Sequence, residues 1–238
     1  MAAPADSLSA SDPMRTRDIG ALVAELERLP PDWHGAGLIS AAALRGMARH
    51  AGGGVARSAE TGSGRSTLLL SHLSSDHTVF SVDASGSISR VRESTLLRRQ
   101  SVRFIEGPSQ LTLHRHRFDG PLDLVLLDGL HSYPAPDIDY FYLYPYLSKG
   151  ALLIVDDIHI PMVRNLYRFL REDAMFFLVE VAAHTAFFRR TSAPTFDRLA
   201  GDWFDQAYNM RHFPLAVRLK QHLPPSTRAR IKRIIGRR

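Results

Sequence analysis

The sequence lacks several features that would define a class of protein. It contains no cysteine, which excludes disulfides, thiolate metal ligands and thiol nucleophiles. No apolar run approaches the roughly 20 residues that a membrane-spanning helix needs. Residues 1–14 are rich in Ala, Ser, Pro and Asp without an apolar stretch, which is typical of a disordered leader and not of a signal peptide. With 238 residues, 45% of them hydrophobic, the chain is expected to form one sizeable cytoplasmic domain.

Acidic residues are also missing from the C-terminal segment. Residues 206–238 contain no Asp or Glu but nine basic residues, so the rest of the chain has 21 basic residues against 24 acidic ones. Within residues 226–238, Ile231, Ile234 and Ile235 would share one face of a basic amphipathic helix. This pattern predicts peripheral contact with the anionic inner face of a membrane. A nucleic-acid partner is less favoured because no aromatic residues are interleaved, and a solvated, disordered tail stays an open alternative.

The body of the chain alternates short apolar runs with helical patterns. Two N-terminal helices are predicted at 16–29 and 40–50, and strands at 55–60, 78–83, 102–106, 122–128 and 151–156. The helices predicted between these strands include 88–98 and 137–147. Two closely spaced apolar runs, 175–181 and 184–190, indicate an antiparallel hairpin at the sheet edge. The predicted fold is therefore α/β and Rossmann-like, with a doubly wound, mostly parallel sheet. The predicted organisation is a leader at 1–14, a domain at 15–194, and a C-terminal segment at 195–238 with a helix near 197–208 and a basic tail.

Three carboxylates end two of the predicted buried strands. Asp128 follows the fourth strand, and Asp156 and Asp157 follow the fifth. In an open α/β sheet, ligands bind outside the carboxyl ends of the strands. Carboxylates gathered there repel one another unless a cation or protons compensate them. The alternative is that Asp156 and Asp157 cap the next helix.

A glycine turn ends the first strand and opens onto the same edge. Gly62 and Gly64 permit a tight turn and a close ligand approach, and a helix begins directly afterwards. The third glycine of a dinucleotide fingerprint is absent, since Ser66 takes its place. A phosphate-binding loop of the P-loop type does not fit either, because Ala59 stands where its first glycine is required. Asp83 ends the second strand, where an acid can hydrogen-bond ribose hydroxyls, although a helix N-cap is the alternative. Together these features indicate a nucleotide-type cofactor.

These motifs resemble those of a known family. Glu60-x-Gly62-x-Gly64, Asp83, and the stretch 106–110 ending the third strand look like a class I S-adenosylmethionine-dependent methyltransferase. The block 127–133, followed by the acidic pair at 156–157, is similar to the metal-dependent O-methyltransferases of the catechol type and their macrolide-sugar and cephalosporin-pathway relatives. The resemblance covers roughly residues 50–190 and implies a seven-stranded sheet.

The resemblance implies a role for each matching position. Gly62 and Gly64 would pack against the methionine moiety of S-adenosylmethionine, with Glu60 supporting their loop. Asp83 would hold the ribose. Ser109 and Gln110 would contact the adenine, and Asp128 would border the cofactor as well as a metal.

The same resemblance implies a metal and a base. Asp128, Asp156 and Asp157 would bind Mg²⁺, or Mn²⁺ or Ca²⁺, because oxygen ligands suit these cations. His131 lies where catechol-type enzymes place a lysine base, and an imidazole titrates near neutral pH. His159 is the competing candidate.

The function expected from the resemblance is O-methylation of a hydroxyl on a small molecule or saccharide, by in-line transfer with a divalent metal. A nicotinamide-dependent oxidoreductase and a non-catalytic Rossmann-like binding protein with a membrane-docking tail are the alternatives. A homo-oligomer is left open.

Overall fold

A computed structural model describes residues 18–33, 35, 37–215, 218, 223, 224, 226 and 227. The predicted leader at 1–14 and nearly all of the predicted amphipathic segment at 226–238 lie outside the described residues. In the described part of the chain, no helix is long and apolar enough to cross a membrane.

A seven-stranded mixed sheet forms the centre of the structure, with strand order β3-β2-β1-β4-β5-β7-β6. Strands β1 to β5 run parallel, whereas β7 pairs antiparallel with both β5 and β6. This arrangement confirms the predicted α/β fold with an antiparallel edge hairpin. The strands are β1 (Val55–Thr61), β2 (Ser74–Ser81), β3 (Val102–Glu106), β4 (Leu122–Leu127), β5 (Leu147–Val155), β6 (Phe176–Ala182) and β7 (Thr185–Arg190).

Helices cover both faces of this sheet, as expected for parallel strands joined by crossovers. The described helices are α1 (Ile19–Glu27), α2 (Ala41–His50), α3 (Arg65–Leu73), α4 (Ser87–Glu93), α5 (Ser109–Thr112), α6 (Ala135–Leu143), α7 (Pro161–Glu172) and α8 (Ala207–His212). Ser40 caps α2, because its hydroxyl accepts a hydrogen bond from the backbone N–H of Ala43.

Two apolar clusters, one on each face, bury the central strands. Leu124 and Leu126 of β4 belong to the cluster that includes α1, α2 and α3. Val125 and Leu127 belong to the cluster that includes α6 and α7. Successive residues of a strand point to opposite faces, so a strand covered on both faces is apolar at nearly every position. This double burial explains the unbroken apolar runs in the sequence.

Several predicted boundaries are wrong. The second strand begins at Ser74 and ends at Ser81, so Asp83 lies two residues beyond it. The predicted helix at 88–98 ends at Glu93. The helix expected through 147 ends at Leu143 and continues as a 3₁₀ turn, and β5 starts at Leu147 instead of 151.

The helix expected at 197–208 is also wrong. The carboxylate of Asp197 accepts hydrogen bonds from the backbone N–H groups of Leu199 and Ala200 at 2.8 and 3.1 Å, which closes a local turn. Such side-chain bonds compete with helix formation. The described helix of this region is the shorter α8, which follows a 3₁₀ turn at Trp203–Asp205.

Candidate active site

A cavity of about 400 Å³ lies at the carboxyl ends of the parallel strands. The strand order reverses between β1 and β4, and such a switch point is where open α/β sheets bind ligands. The turn after β1, the start of α5 and the loops after β2, β4 and β5 line it, and residues 37–39 cover it from the N-terminal segment.

Gly62 brings two of these loops into backbone contact. Its φ is +88°, and a Cβ atom built on it would lie 2.1 Å from the backbone oxygen of Asp128. The N–H of Asp128 in turn donates to the carbonyl of Thr61 at 3.2 Å. Only glycine combines this backbone angle with so close an approach. The glycine turn is therefore fixed directly against the loop that carries Asp128.

Glu60 lies beneath the glycine turn and is fully buried. The Thr67 hydroxyl donates to its Oε1 and accepts from the backbone N–H of Gly64 at 3.0 Å. His77 Nε2 lies 3.2 Å from the same Oε1. The second carboxylate oxygen is buried and has no hydrogen-bond partner among the described residues. Glu60 thus holds the turn through Thr67 and does not itself line the cavity.

Asp83 is exposed and does not line the cavity. Its carboxylate accepts hydrogen bonds from the backbone N–H groups of Ile88 and Ser89 at 2.8 and 3.2 Å, and from the Ser89 hydroxyl at 2.6 Å. These bonds, led by the Ser89 hydroxyl, lower the pKa of Asp83. The observed contacts are those of the capping alternative, and the ribose contact stays a prediction. Val82 and Ala84 line the cavity on this side.

Ser109 and Gln110 lie at the start of α5 and line the cavity. The Gln110 Nε2 group donates to Ser109 Oγ at 2.7 Å and to Asp139 Oδ1 at 3.3 Å. Asp139 is 1% exposed, and burial raises its pKa to about 6 against opposing hydrogen bonds from Ser109, Thr61 and Gln110. Sequence analysis missed Asp139. The sequence did offer one indication of its role, because Asp139 is an acid on the apolar face of the helix predicted after the fourth strand.

Asp128, His131 and Asp157 converge at the far side of the cavity. One potential ligand atom from each lies within 4.8 Å of the others. His131 Nε2 is 3.5 Å from Asp128 Oδ1, and His131 Nδ1 is 3.5 Å from Asp157 Oδ2. His159 Nδ1 is 3.5 Å from Asp157 Oδ1, at the exposed rim. The imidazole of His131 therefore lies between two carboxylates.

Asp156 is not part of this cluster, although it lines the same cavity. The converging residues therefore differ from the predicted ligands by having His131 in place of Asp156. It is 6% exposed, and its carboxylate accepts a hydrogen bond from the Thr185 hydroxyl of β7. Asp157 has φ +55°, a left-handed conformation that Asp and Asn tolerate better than other non-glycine residues. This backbone angle turns two consecutive carboxylates toward different partners.

Charge in the cluster is only partly compensated. Burial raises the pKa of Asp128 to about 7, although a hydrogen bond from His131 opposes the shift. The hydrogen bond to Asp128 raises the pKa of His131. Two carboxylates and an imidazole form a donor set that fits Mg²⁺ or Mn²⁺, with a borderline nitrogen ligand. Either a cation or a proton shared with the imidazole would relieve the repulsion.

Comparisons with known proteins point to a methyltransferase domain. Residues 59–158 match a family model described as a methyltransferase domain. No curated protein matches the chain significantly. Among solved structures, the chain is similar to the O-methyltransferase TomG of Streptomyces achromogenes, involved in tomaymycin synthesis and solved with S-adenosylmethionine. Identity is 18%, coverage 72% of this chain and 90% of that one, and the TM-score 0.51.

Two further structures show the same fold. An O-methyltransferase from Bacillus cereus, solved with S-adenosylhomocysteine, is 15% identical over 78% of this chain and 94% of that one, with a TM-score of 0.52. A methyltransferase from Geobacter sulfurreducens is 14% identical over 79% and 93%, with a TM-score of 0.53. The family-model match agrees with the predicted methyltransferase domain, and the solved structures share the fold of this chain.

Proposed function

We propose that this chain, an S-adenosylmethionine-dependent methyltransferase of class I, methylates a hydroxyl group on a small molecule or saccharide with the help of a divalent cation. The observation that carries the proposal is the convergence of Asp128, His131 and Asp157 on the cavity. Gly62 fixes this cluster next to the glycine turn through its contact with the Asp128 backbone. A methyl donor on the turn and an acceptor at the cluster would therefore be neighbours.

The cofactor is proposed to lie along the cavity from the glycine turn to α5. S-Adenosylmethionine supplies a methyl group on a sulfonium that an oxygen nucleophile can attack. Gln110, fixed by Ser109 and Asp139, presents an amide at one end. Phe80, Val82 and Leu130 supply apolar walls between the polar ends. An adenosine suits such a cavity, because its base has apolar faces and polar edges.

The cation is proposed to bind Asp128 and Asp157. When bound, it would lower the pKa of a coordinated hydroxyl and hold that oxygen in line with the methyl group. Asp156 is assigned a positioning role, because Thr185 hydrogen-bonds its carboxylate and its oxygens are not among the ligand atoms that converge. We therefore expect Asp157→Asn to weaken cation binding more than Asp156→Asn does.

His131 is proposed to accept the proton of the acceptor hydroxyl. Its Nε2 is buried and lies 3.5 Å from Asp128 Oδ1, and its Nδ1 lies 3.5 Å from Asp157 Oδ2. Carboxylates beside both ring nitrogens orient the imidazole and stabilise the protonated form that arises when it takes up a proton. This arrangement favours His131 over His159, which lies at the exposed rim.

The acceptor is proposed to enter past Leu130 and Tyr133. These side chains are 59% and 74% exposed on the loop that carries His131. Exposed apolar and aromatic surface beside a polar cluster suits a ring with hydroxyl substituents, which stacks on one face and presents its oxygens at the edge. Sugars and phenols both meet this description.

Cation binding tests the proposal without knowledge of the acceptor. Mn²⁺ titrated by calorimetry should bind the wild-type protein saturably, and Asp157→Asn should weaken it at least about tenfold. Asp119→Asn, an exposed acid before β4, is the matched control. His131→Ala should retain cation binding if the residue is a base, and lose it if the residue is a ligand.

Methyl transfer is then followed with radiolabelled S-adenosylmethionine and a panel of sugars and phenols. EDTA should abolish transfer and Mg²⁺ should restore it. Failure of S-adenosylhomocysteine to bind the wild-type protein would overturn the assignment of the cavity. Transfer that is insensitive to both EDTA and Asp157→Asn would overturn the role of the cation.

A further inference from the structure

Three large apolar side chains are exposed near the C-terminal end of the described residues. Trp203 is 39%, Phe213 38% and Leu215 66% exposed. The rings of Trp203 and Phe213 are in contact, with centroids 4.9 Å apart, and Leu215 follows Phe213 by two residues. Single exposed apolar side chains are ordinary, whereas adjoining ones mark a surface that binds a partner. These three residues are called the C-terminal patch below.

Helix α8 holds the C-terminal patch on the domain. The ring of Tyr208 packs against Phe169 of α7, with centroids 5.2 Å apart, and His212 Nε2 lies 2.8 Å from Glu172 Oε2 of the same helix. Met210, between them, is buried. The patch residues precede and follow α8 in the sequence. The patch is therefore presented by an element that is itself packed on the domain.

The charge that follows the C-terminal patch has one sign. Asp202 and Asp205 flank Trp203, but Asp205 is the last acidic residue of the sequence, and residues 206–238 contain nine basic residues. Two of these, Arg211 and Arg218, are exposed and flank the other two patch residues in the sequence. Trp, Phe and Leu beside Arg and Lys are typical of surfaces that lie in the interface of an anionic membrane.

We propose that the C-terminal patch docks this protein on the surface of an anionic lipid membrane. Its side chains enter the boundary between headgroups and acyl chains, and the basic residues around it contact the anionic headgroups. A tryptophan suits this boundary because its ring is apolar and its N–H is polar. The sequence alone predicts membrane contact through residues 226–238, and the patch adds an apolar anchor among the described residues. This inference is independent of the proposed methyl transfer.

Two other partners for the C-terminal patch are less favoured. A second copy of the chain, related by a two-fold axis, would bring two segments of nine basic residues each to one interface, and like charges repel. A nucleic acid accepts positive charge and stacks its bases on aromatic rings. One face of Trp203 already stacks on Phe204, with centroids 3.7 Å apart, and Leu215, the most exposed of the three, has no ring. The apolar content of the patch therefore favours lipid.

Tryptophan fluorescence tests insertion directly, because the chain contains two tryptophans. In Trp33→Phe the single fluorophore is Trp203, and in Trp203→Phe it is the half-buried Trp33. The full chain is mixed with vesicles of phosphatidylcholine alone, or of phosphatidylcholine and phosphatidylglycerol in equal parts, both with brominated acyl chains that quench a nearby indole. The emission of Trp203 should shift to shorter wavelength and be quenched by the anionic vesicles only. Trp33 should show neither change.

Vesicle partitioning measures how much the patch contributes. The double variant Phe213→Ser/Leu215→Ser removes two apolar side chains and should weaken partitioning to the anionic vesicles at least about tenfold. Phe177→Ser is the matched control, because Phe177 is 53% exposed on β6, and it should partition like the wild type. All three substitutions are at exposed positions, and urea unfolding checks that each variant is folded.

Four outcomes would overturn the proposal. The first is that the wild-type protein does not bind the anionic vesicles. The second is binding that survives in the double variant while Trp203 stays unquenched, which would assign the contact to the basic segment alone. The third is a dimer in sedimentation whose formation shifts the emission of Trp203 without lipid, which would assign the patch to a second copy. The fourth is a single-stranded oligonucleotide that quenches Trp203 and displaces the vesicles.

Discussion

Asp139→Asn replaces a buried carboxylate that joins three of the cavity-lining segments. Asp139 hydrogen-bonds the side chains of Thr61 at the end of β1 and of Ser109 and Gln110 on α5. Its Oδ2 would lie 3.0 Å from a Cβ atom on Gly129 after β4. The substitution keeps the shape of the side chain and one acceptor oxygen. It removes the carboxyl group that ionises.

The magnitude follows from the pKa of about 6 in the folded protein and an unperturbed value of 3.8. Because the folded state binds the proton more tightly than the unfolded state, stability that is present below pH 3.8 is lost as the pH rises through 6. A pKa raised from 3.8 to about 6 corresponds to roughly 3 kcal/mol in total, of which roughly 1–2 kcal/mol falls between pH 5 and pH 8. Asparagine has no such dependence.

The assay is urea unfolding of wild type and Asp139→Asn at pH 5, 6, 7 and 8. The free energy of unfolding of the variant, minus that of the wild type, should increase by roughly 1–2 kcal/mol across this range. Tyr140→Phe removes a neighbouring buried polar group that does not titrate in this range, so its difference should stay constant. A constant difference for Asp139→Asn would refute the assignment of a raised pKa to this carboxyl.

Three further substitutions test the cavity walls and the support of the glycine turn. Gly62→Ala should destabilise the protein by roughly 2–5 kcal/mol in urea unfolding and abolish S-adenosylhomocysteine binding, because its Cβ would meet the Asp128 backbone oxygen at 2.1 Å. Thr67→Val should cost about 1–3 kcal/mol, since it removes the hydroxyl that donates to buried Glu60, and thermal unfolding would show no shift if that bond were unimportant. Asp157→Ala should be less stable than Asp157→Asn by about 1 kcal/mol because Asn tolerates φ +55° better, and equal stabilities would contradict the left-handed backbone.

The sequence by itself determined the strands and the edge at which the site lies. A strand covered on both faces is apolar at nearly every position, so runs such as Leu122–Leu127 can be recognised locally. The polar residue that follows each run marks where the strand leaves the core, and parallel strands bring these ends to one edge. Asp128 and the glycine turn were therefore located correctly without coordinates.

Helix ends were less predictable because tertiary contacts decide them. The segment after Asp197 has a helical composition, but the Asp197 carboxylate bonds to the backbone of Leu199 and Ala200 instead. A cofactor contact was predicted for Asp83 because this residue ends a predicted strand. In the structure its oxygens are occupied by the first turn of α4.

Only the tertiary structure decided which polar groups share the site. Asp156 and Asp157 are neighbours in sequence, yet Thr185, 29 residues after Asp156, binds one carboxylate, and a left-handed backbone turns the other toward His131. Arg65 is held by carbonyls 35 and 36 residues before it, and Asp139 reaches Gln110 across 29 residues. Hydrophobic patterning repeats every few residues and is visible locally, whereas a hydrogen bond between distant segments depends on directions that exist only once the chain has packed.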